Sequence, residues 1–250
     1  MERMLEDFVP YDQSALWRIH DAYYTKRGGE AWGDIPSRAT NNYALARQYS
    51  ALALALAKTH DPQEPFIILE VGGGSGVFAQ YLLQALKHGL GHEGRALWER
   101  VQYVLTDYSA PTLESALAEQ DPADASRLIP ALLDIRDPNP THLNGEPLIL
   151  RPHLVVANYV ACVSPTKHLH KLNDQWVELY AQIATDPTGE FAQQDPTSID
   201  ALLELYAQSP SDAPLMSSLR IRYQHRYVEP ETLFQDPFHA RVIRETLTKL

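Results

Sequence analysis

One stretch constrains this chain more than any other: Phe66-Ile67-Ile68-Leu69-Glu70-Val71-Gly72-Gly73-Gly74-Ser75-Gly76. Its first half is an unbroken apolar run rich in β-branched residues, the pattern of a strand buried on both faces of a parallel sheet. Its second half is a cluster of glycines. Beyond them Phe78, Leu82, Leu83 and Leu86 return at helical spacing and can share one face. Strand, glycine turn and helix make the first half of a nucleotide-binding βαβ unit. Glycine is required there because the turn is tight and a ligand must approach bare backbone. The motif alone does not choose the ligand, because Gly74-Ser75-Gly76-Val77-Phe78-Ala79 also fits the dinucleotide pattern G-x-G-x-x-A.

Acids at the ends of apolar runs narrow the choice. Glu70 closes the first strand two residues before the first glycine. A carboxylate at the lip of that turn repels a pyrophosphate and attracts a ligand carrying an ammonium and a sulfonium. Val101-Gln102-Tyr103-Val104-Leu105-Thr106-Asp107 reads as a second strand, and its terminal Asp is placed to accept hydrogen bonds from both ribose hydroxyls or to cap the next helix. The distance from Gly76 to Asp107 is about ten residues longer than the usual ~20, which fits an insertion around Lys87 to Arg100. Leu128 to Asp134 and Leu154 to Asn158 read as third and fourth strands, each ending in a polar residue. Ligands of open α/β sheets sit outside the carboxyl ends of the strands. Glu70, Asp107, Asp134 and Asn158 are therefore expected to converge on one crevice.

With these residues in place, the region 60–165 resembles the class I S-adenosylmethionine-dependent methyltransferases. Glu70 to Gly76 is similar to that family's first motif. The resemblance implies that Gly72, Gly73, Gly74 and Gly76 form the cofactor floor and that Glu70 acts on the methionine amino group. It implies ribose binding by Asp107 with Tyr108 beside it, adenine contact by Asp134 and Ile135, and a place for Asn158 and Tyr159 near the transferred methyl. A narrower resemblance is to the MidA-like family, whose relatives include an arginine-methylating assembly factor. It rests on Tyr23-Tyr24, on Gly33-Asp34-Ile35 with Ser37, on the long spacing between Gly76 and Asp107, and on Leu154 to Asn158. This chain departs from the pattern at Tyr159, where the family carries Glu, and near Cys162, where it carries Asp. The methyl acceptor is therefore left open between a small molecule and a protein side chain, with Tyr159 and Tyr24 as the substrate contacts. The rivals are an NAD-dependent oxidoreductase on a related sheet and a non-catalytic assembly or scaffold protein that keeps the fold.

The expected architecture is α/β: a Rossmann-like, doubly wound, mostly parallel sheet over 61–170, an N-terminal helical lid segment over 1–60, and a helical C-terminal extension over 171–250. In the lid, Tyr23, Tyr24 and Trp32 offer aromatic faces that attract a sulfonium by about 0.5–2 kcal/mol. Asp12 or Ser14 and Thr40 or Asn41 are expected to cap two helices there. Leu172 to Ile183 predicts an amphipathic helix, Ser198 caps another, Leu219 to Tyr227 alternates as a strand with one wet face, and Pro230 opens a last helix to about 248. His168-Leu169-His170 offers two imidazoles without a matching third ligand, so no metal is expected. A net charge of −11 disfavours nonspecific nucleic-acid binding. No run approaches the ~20 apolar residues of a membrane span. The acidic start Met1 to Asp7 is unlike a secretory signal, and one cysteine, Cys162, forms no internal disulfide. A reducing cytoplasm is the expected location.

Overall fold

Each apolar run that ends in a polar residue is a strand of one sheet. The computed structural model describes residues 2–33, 41–160, 163–229, Thr232 and Arg241. In chain order its first elements are β1 (Arg3–Pro10), α1 (Leu16–Arg27), a 3-10 segment Gly28–Gly33, α2 (Tyr43–Ala57), β2 (Phe66–Glu70), α3 (Val77–Gln84), α4 (Gly91–Arg100) and β3 (Val101–Asp107). Then come α5 (Ala110–Ala118), α6 (Pro122–Ala125), β4 (Leu128–Asp134), β5 (Asp137–His142), β6 (Leu154–Val156), β7 (Leu169–Leu172), β8 (Gln175–Thr185), α7 (Ile199–Gln208), α8 (Ala213–Ser218) and β9 (Leu219–Tyr227). They divide into two compact units: Tyr23–Ser164, and Met1–Ala22 with Pro165–Leu250.

In the unit Tyr23–Ser164 the sheet order is β5-β4-β3-β2-β6. Strands β2, β3, β4 and β6 run parallel, and β5 returns antiparallel beside β4. Successive parallel strands are added on one side of β2 until β6 crosses to the other. The order therefore reverses between β2 and β6, which is where open sheets bind ligands. Phe66 and Ile68 are fully buried in one cluster with Tyr103, Leu105 and the predicted α3 face of Phe78, Leu82 and Leu83. Each such side chain contributes about 1.5–3 kcal/mol on leaving water. Asn42 starts α2 by accepting the Leu45 amide at 2.9 Å, one residue after the expected Asn41 and two after the expected Thr40. The extra length between α3 and β3 is a π-turn at Ala85–Gly89 followed by α4. The expected insertion around Lys87 to Arg100 is thus the end of that π-turn and a helix.

The second unit overturns the expectation of a helical C-terminal extension. Strand β8 is the centre of a four-stranded antiparallel sheet, with β1 and β7 along one edge and β9 along the other. The region 172–183 is therefore a hairpin arm, not a helix, and Leu169 and His170 of the H-x-H stretch lie in β7. The N-terminal segment is not wholly helical either, because β1 occupies Arg3–Pro10. Two physical causes explain the reversal. Asn173 and Asp174 both adopt positive φ, 50° and 62°, and Leu172 pairs directly with Gln175. That is a two-residue turn whose left-handed backbone torsions match the right-handed twist of paired strands, the geometry hairpins prefer. Ala181 to Asp186 are all buried, so both faces of this end of β8 are covered and period-two alternation is lost. Ile183 packs there with Phe191, Ile199, Leu202, Tyr206 and Leu215.

Ser198 caps α7 as expected, accepting the Ala201 amide at 3.1 Å, and β9 forms over the predicted residues. Its basic side chains are engaged rather than merely wet: Arg220 pairs with Asp186, Arg222 with Glu2, and Arg226 stands 4.2 Å over the Tyr180 ring. The expected helix over 230–248 lies outside the described residues apart from Thr232 and Arg241. Among the described residues no helix is long and apolar enough to cross a membrane. Replacing Asp174 by Gly creates the Asn-Gly pair that this turn favours and relieves a left-handed penalty of roughly 1–2 kcal/mol that outweighs the entropy of an added glycine, so Asp174→Gly should gain about 0.5–1 kcal/mol in urea denaturation. Asp174→Val should lose about 1–2 kcal/mol, the cost of a bulky left-handed residue.

Candidate functional site

The glycine turn leaves β2 at the point where the strand order reverses. Gly72, Gly74 and Gly76 take φ of 67°, 54° and 71°, a region that side chains with a Cβ rarely adopt. Space is as restrictive as torsion. A Cβ on Gly72 would stand 2.8 Å from Val160 Cγ2, and one on Gly76 2.8 Å from Gln120 Nε2. A Cβ on Gly73 would run into Leu105 Cδ1. The turn is hung on its neighbours by backbone bonds: the Val71 amide donates to the Val156 carbonyl at 2.8 Å, and the Gly73 amide to the Thr106 carbonyl at 2.7 Å. Thr106 returns a bond from Oγ1 to the Glu70 carbonyl at 2.6 Å.

Asp107 sits against this turn. Its Oδ2 accepts the Gly74 amide at 3.2 Å and its Oδ1 the Ser109 amide at 3.0 Å. Ser109, not Asp107, caps α5 through Thr112. Burial pushes the Asp107 carboxyl up, and the amides of Ser109, Gly74 and Tyr108 oppose that shift. Each carboxylate oxygen keeps a lone pair beyond these bonds.

The position of Glu70 corrects the expectation that it stands open at the lip. It shares a face with Phe66 and Ile68, is 3% exposed, and lies beneath the turn. Tyr103 donates its hydroxyl to Glu70 Oε2 at 2.8 Å. A Cβ on Gly73 would come within 3.2 Å of the same oxygen. Burial raises the carboxyl to about 7; the Tyr103 bond holds it down in part, and the Asp107 charge pushes it up. Neither Glu70 nor Asp107 has a cationic side chain in ion-pair contact among the described residues.

The remaining candidates lie further out. Asp134 ends β4, where Arg136 grips it with Nε at 2.9 Å and Nη2 at 2.6 Å. The guanidinium holds its carboxyl below the ordinary value. Ile135 is exposed in the turn between β4 and β5. Asn158 is half-buried beyond β6, and Tyr159 is 64% exposed with φ of 63°. That torsion costs an aromatic residue about 1–3 kcal/mol and persists only where surrounding structure imposes it. Tyr24 stacks edge-on with Tyr23 at 5.4 Å. The segment after them reaches α5, where a Cβ on Gly28 would lie 3.5 Å from Pro111. Asp34, Ile35, Ser37 and Cys162 lie outside the described residues.

Residues 44–237 match the profile of a protein family described as "Putative S-adenosyl-L-methionine-dependent methyltransferase". The chain belongs to that family. S-adenosylmethionine is the family's cofactor, and the residues present suit it: a bare, left-handed turn flanked by two buried acids, neither in ion-pair contact with a cationic side chain among the described residues. Among solved structures the chain is similar to two from Burkholderia thailandensis. One is an uncharacterised protein, 17% identical, with 90% of this chain and 52% of that chain covered and a TM-score of 0.41. The other, bound to S-adenosyl-homocysteine, is 19% identical, with 95% and 49% covered and a TM-score of 0.43. The chain spans about half the length of these structures. No curated protein matches it.

Tyr103, Thr106 and Arg136 were not among the sequence-derived site residues. Tyr103 was legible in principle, because parallel register puts it beside Ile68 on the face that Glu70 continues. Two tests follow. Gly76→Ala should cost at least about 1 kcal/mol in chemical denaturation, from torsion and from the Gln120 contact. The folded protein holds the Glu70 proton up to about pH 7, whereas the unfolded chain releases it near 4.5. This group's contribution to stability is therefore greatest below pH 4.5 and falls as pH rises through 7. Relative to Glu70→Gln, the wild type should lose on the order of 3 kcal/mol across that window in denaturant titrations.

Proposed function

We propose that this chain is a methyltransferase moving a methyl group from S-adenosylmethionine to a small-molecule or protein nucleophile. The observation that carries the reading is the glycine turn held against Asp107 at the reversal point of the sheet, in a chain of this family. When bound, S-adenosylmethionine supplies a methyl group on a positively charged sulfur, already activated for in-line displacement. The chain's own work is to position two partners and exclude water.

In this reading the parallel sheet is the core of a Rossmann-like, doubly wound fold over 61–170. Gly72, Gly73, Gly74 and Gly76 form its ligand floor. Asp107, with both oxygens oriented by backbone amides, accepts the ribose hydroxyls, and Tyr108 flanks it. Asp134 and Ile135 take the adenine side, with Asp134 sharing its carboxylate with Arg136. Asn158 and Tyr159 face the methyl, and the imposed backbone at Tyr159 aims its ring outward to a substrate. Tyr24, from the part of the expected lid segment that lies in the unit Tyr23–Ser164, closes over the site. Glu70 acts from beneath the turn. No general base is assigned, since one is required only when the nucleophile must shed a proton.

A thermal-shift comparison of S-adenosylhomocysteine with NADH tests the assignment. Stabilisation by the first compound is expected, and stabilisation by NADH alone would replace the reading with an oxidoreductase. Asp107→Ala should weaken S-adenosylhomocysteine binding by about 1–3 kcal/mol in calorimetry, the loss of charged hydrogen bonds. An unchanged affinity removes Asp107 from the site.

A further inference from the structure

We propose that His153 is a proton-operated latch that fastens the amino end of β6 to β2 and, through that short strand, steadies the glycine turn. The latch stands whatever ligand the turn binds. The ladder between β2 and β6 has a gap at its start. A strand residue whose amide and carbonyl both face a parallel neighbour needs a partner for each. The Ile67 carbonyl accepts the His153 amide at 2.8 Å. Strand β6 begins only at Leu154, opposite Ile68, so no earlier strand residue takes the Ile67 amide. The His153 side chain takes it instead: the amide donates to Nδ1 at 2.9 Å. One residue thus fills both places, the second with its ring. A backbone amide only donates, so Nδ1 is bare, and the neutral ring carries its hydrogen on Nε2.

Packing holds the ring there. It stacks on the buried Phe66 ring at 4.8 Å and 20°, and His60 meets it edge-on at 4.5 Å. The two imidazoles differ in what a proton does to them. His60 Nδ1 lies 2.9 Å from the Leu56 carbonyl, which only accepts, so His60 takes a further proton on Nε2 and keeps that bond. The basic nitrogen of His153 lies under the Ile67 amide. A proton arriving from solvent forms an N–H bond with the lone pair that had accepted that amide, and two donors then face each other. The other charged groups around the ring are His60 just beyond α2, Glu64 in the turn before β2, and Arg100 at the end of α4, 5.9 Å from the Phe66 ring centre. Burial first, then the charges of His60 and Arg100, hold the ring below its ordinary value, and Glu64 opposes them. The bond is therefore fully present above the ordinary 6.5 and is lost as pH falls below it.

The far end of β6 holds the glycine turn. The Val156 carbonyl accepts the Val71 amide at 2.8 Å, and Val160 fills the space over Gly72. A strand of three residues has few bonds in reserve, so freeing its amino end loosens its carboxyl end. Acid thus acts on the turn from the opposite end of the strand.

The experiment is amide hydrogen exchange of the full chain, followed by NMR between about pH 7.5 and 5.5, with each rate divided by the unstructured rate at the same pH. Protection of the Ile67 and Val71 amides should fall by roughly 3- to 10-fold on acidification, the worth of one hydrogen bond. In His153→Asn, Oδ1 stands in for Nδ1 and takes no proton, so protection at both amides should not depend on pH. Ring nitrogen shifts of the wild type give a check that needs no variant: the neutral His153 ring should show a bare Nδ1 and a protonated Nε2. Constant protection of Ile67 in the wild type, the same fall in His153→Asn, or a hydrogen on Nδ1 of the neutral ring overturns the latch. A fall at Ile67 with Val71 unmoved overturns its link to the turn.

Discussion

The site depends on a short backbone bond, from the Gly73 amide to the Thr106 carbonyl. It fastens the middle of the glycine turn to the end of the neighbouring strand. With that bond made, the Gly74 amide falls to Asp107, and the Thr106 hydroxyl reaches back to the Glu70 carbonyl. The turn cannot lift from the sheet without breaking several buried hydrogen bonds together, each costing about 1–3 kcal/mol if left unmade. Glycine is what permits the closeness. Torsion demands it at positions 72, 74 and 76, and the crowding by Leu105 demands it at 73. A floor built this way offers a ligand rigid backbone rather than movable side chains.

Electrostatics then set the character of that floor. Glu70 continues the buried face of Phe66 and Ile68, so the same alternation that fills the core carries a carboxylate into it. Tyr103, one strand over and two residues earlier in register, satisfies one oxygen. Burial and the neighbouring Asp107 together disfavour ionisation. The acid that a linear reading puts at the entrance is therefore a buried group whose charge depends on its surroundings.

The difference between what was legible and what was not follows from the range of the interactions. Strands β2, β3, β4 and β6, the α3 face, the Ser198 cap and the glycine torsions are local, and the sequence pattern declares them. The direction of the Glu70 side chain depends on counting alternation back to Phe66, which the motif itself does not invite. Strand β8 was hidden because both its faces are covered at one end, and an eleven-residue run with apolar residues at mixed spacing reads equally well as a helix. The decisive local clue was the Asn173-Asp174 pair, two residues tolerant of left-handed backbone. Arg136 escaped notice because a two-residue reach across a turn has no periodic signature.

The two margins of the parallel sheet are unlike. On one side β5 carries Pro138 and Pro140, which have no amide hydrogen to give, and the chain doubles back so that the Leu148 amide bonds the Pro140 carbonyl at 2.9 Å. A foreign strand arriving there meets missing donors and an acceptor already taken, which guards that flank against edge-to-edge association. On the other side β6 is only three residues long. Both flanks are thus poor templates for an arriving strand, one through proline and a doubled-back chain, the other through brevity.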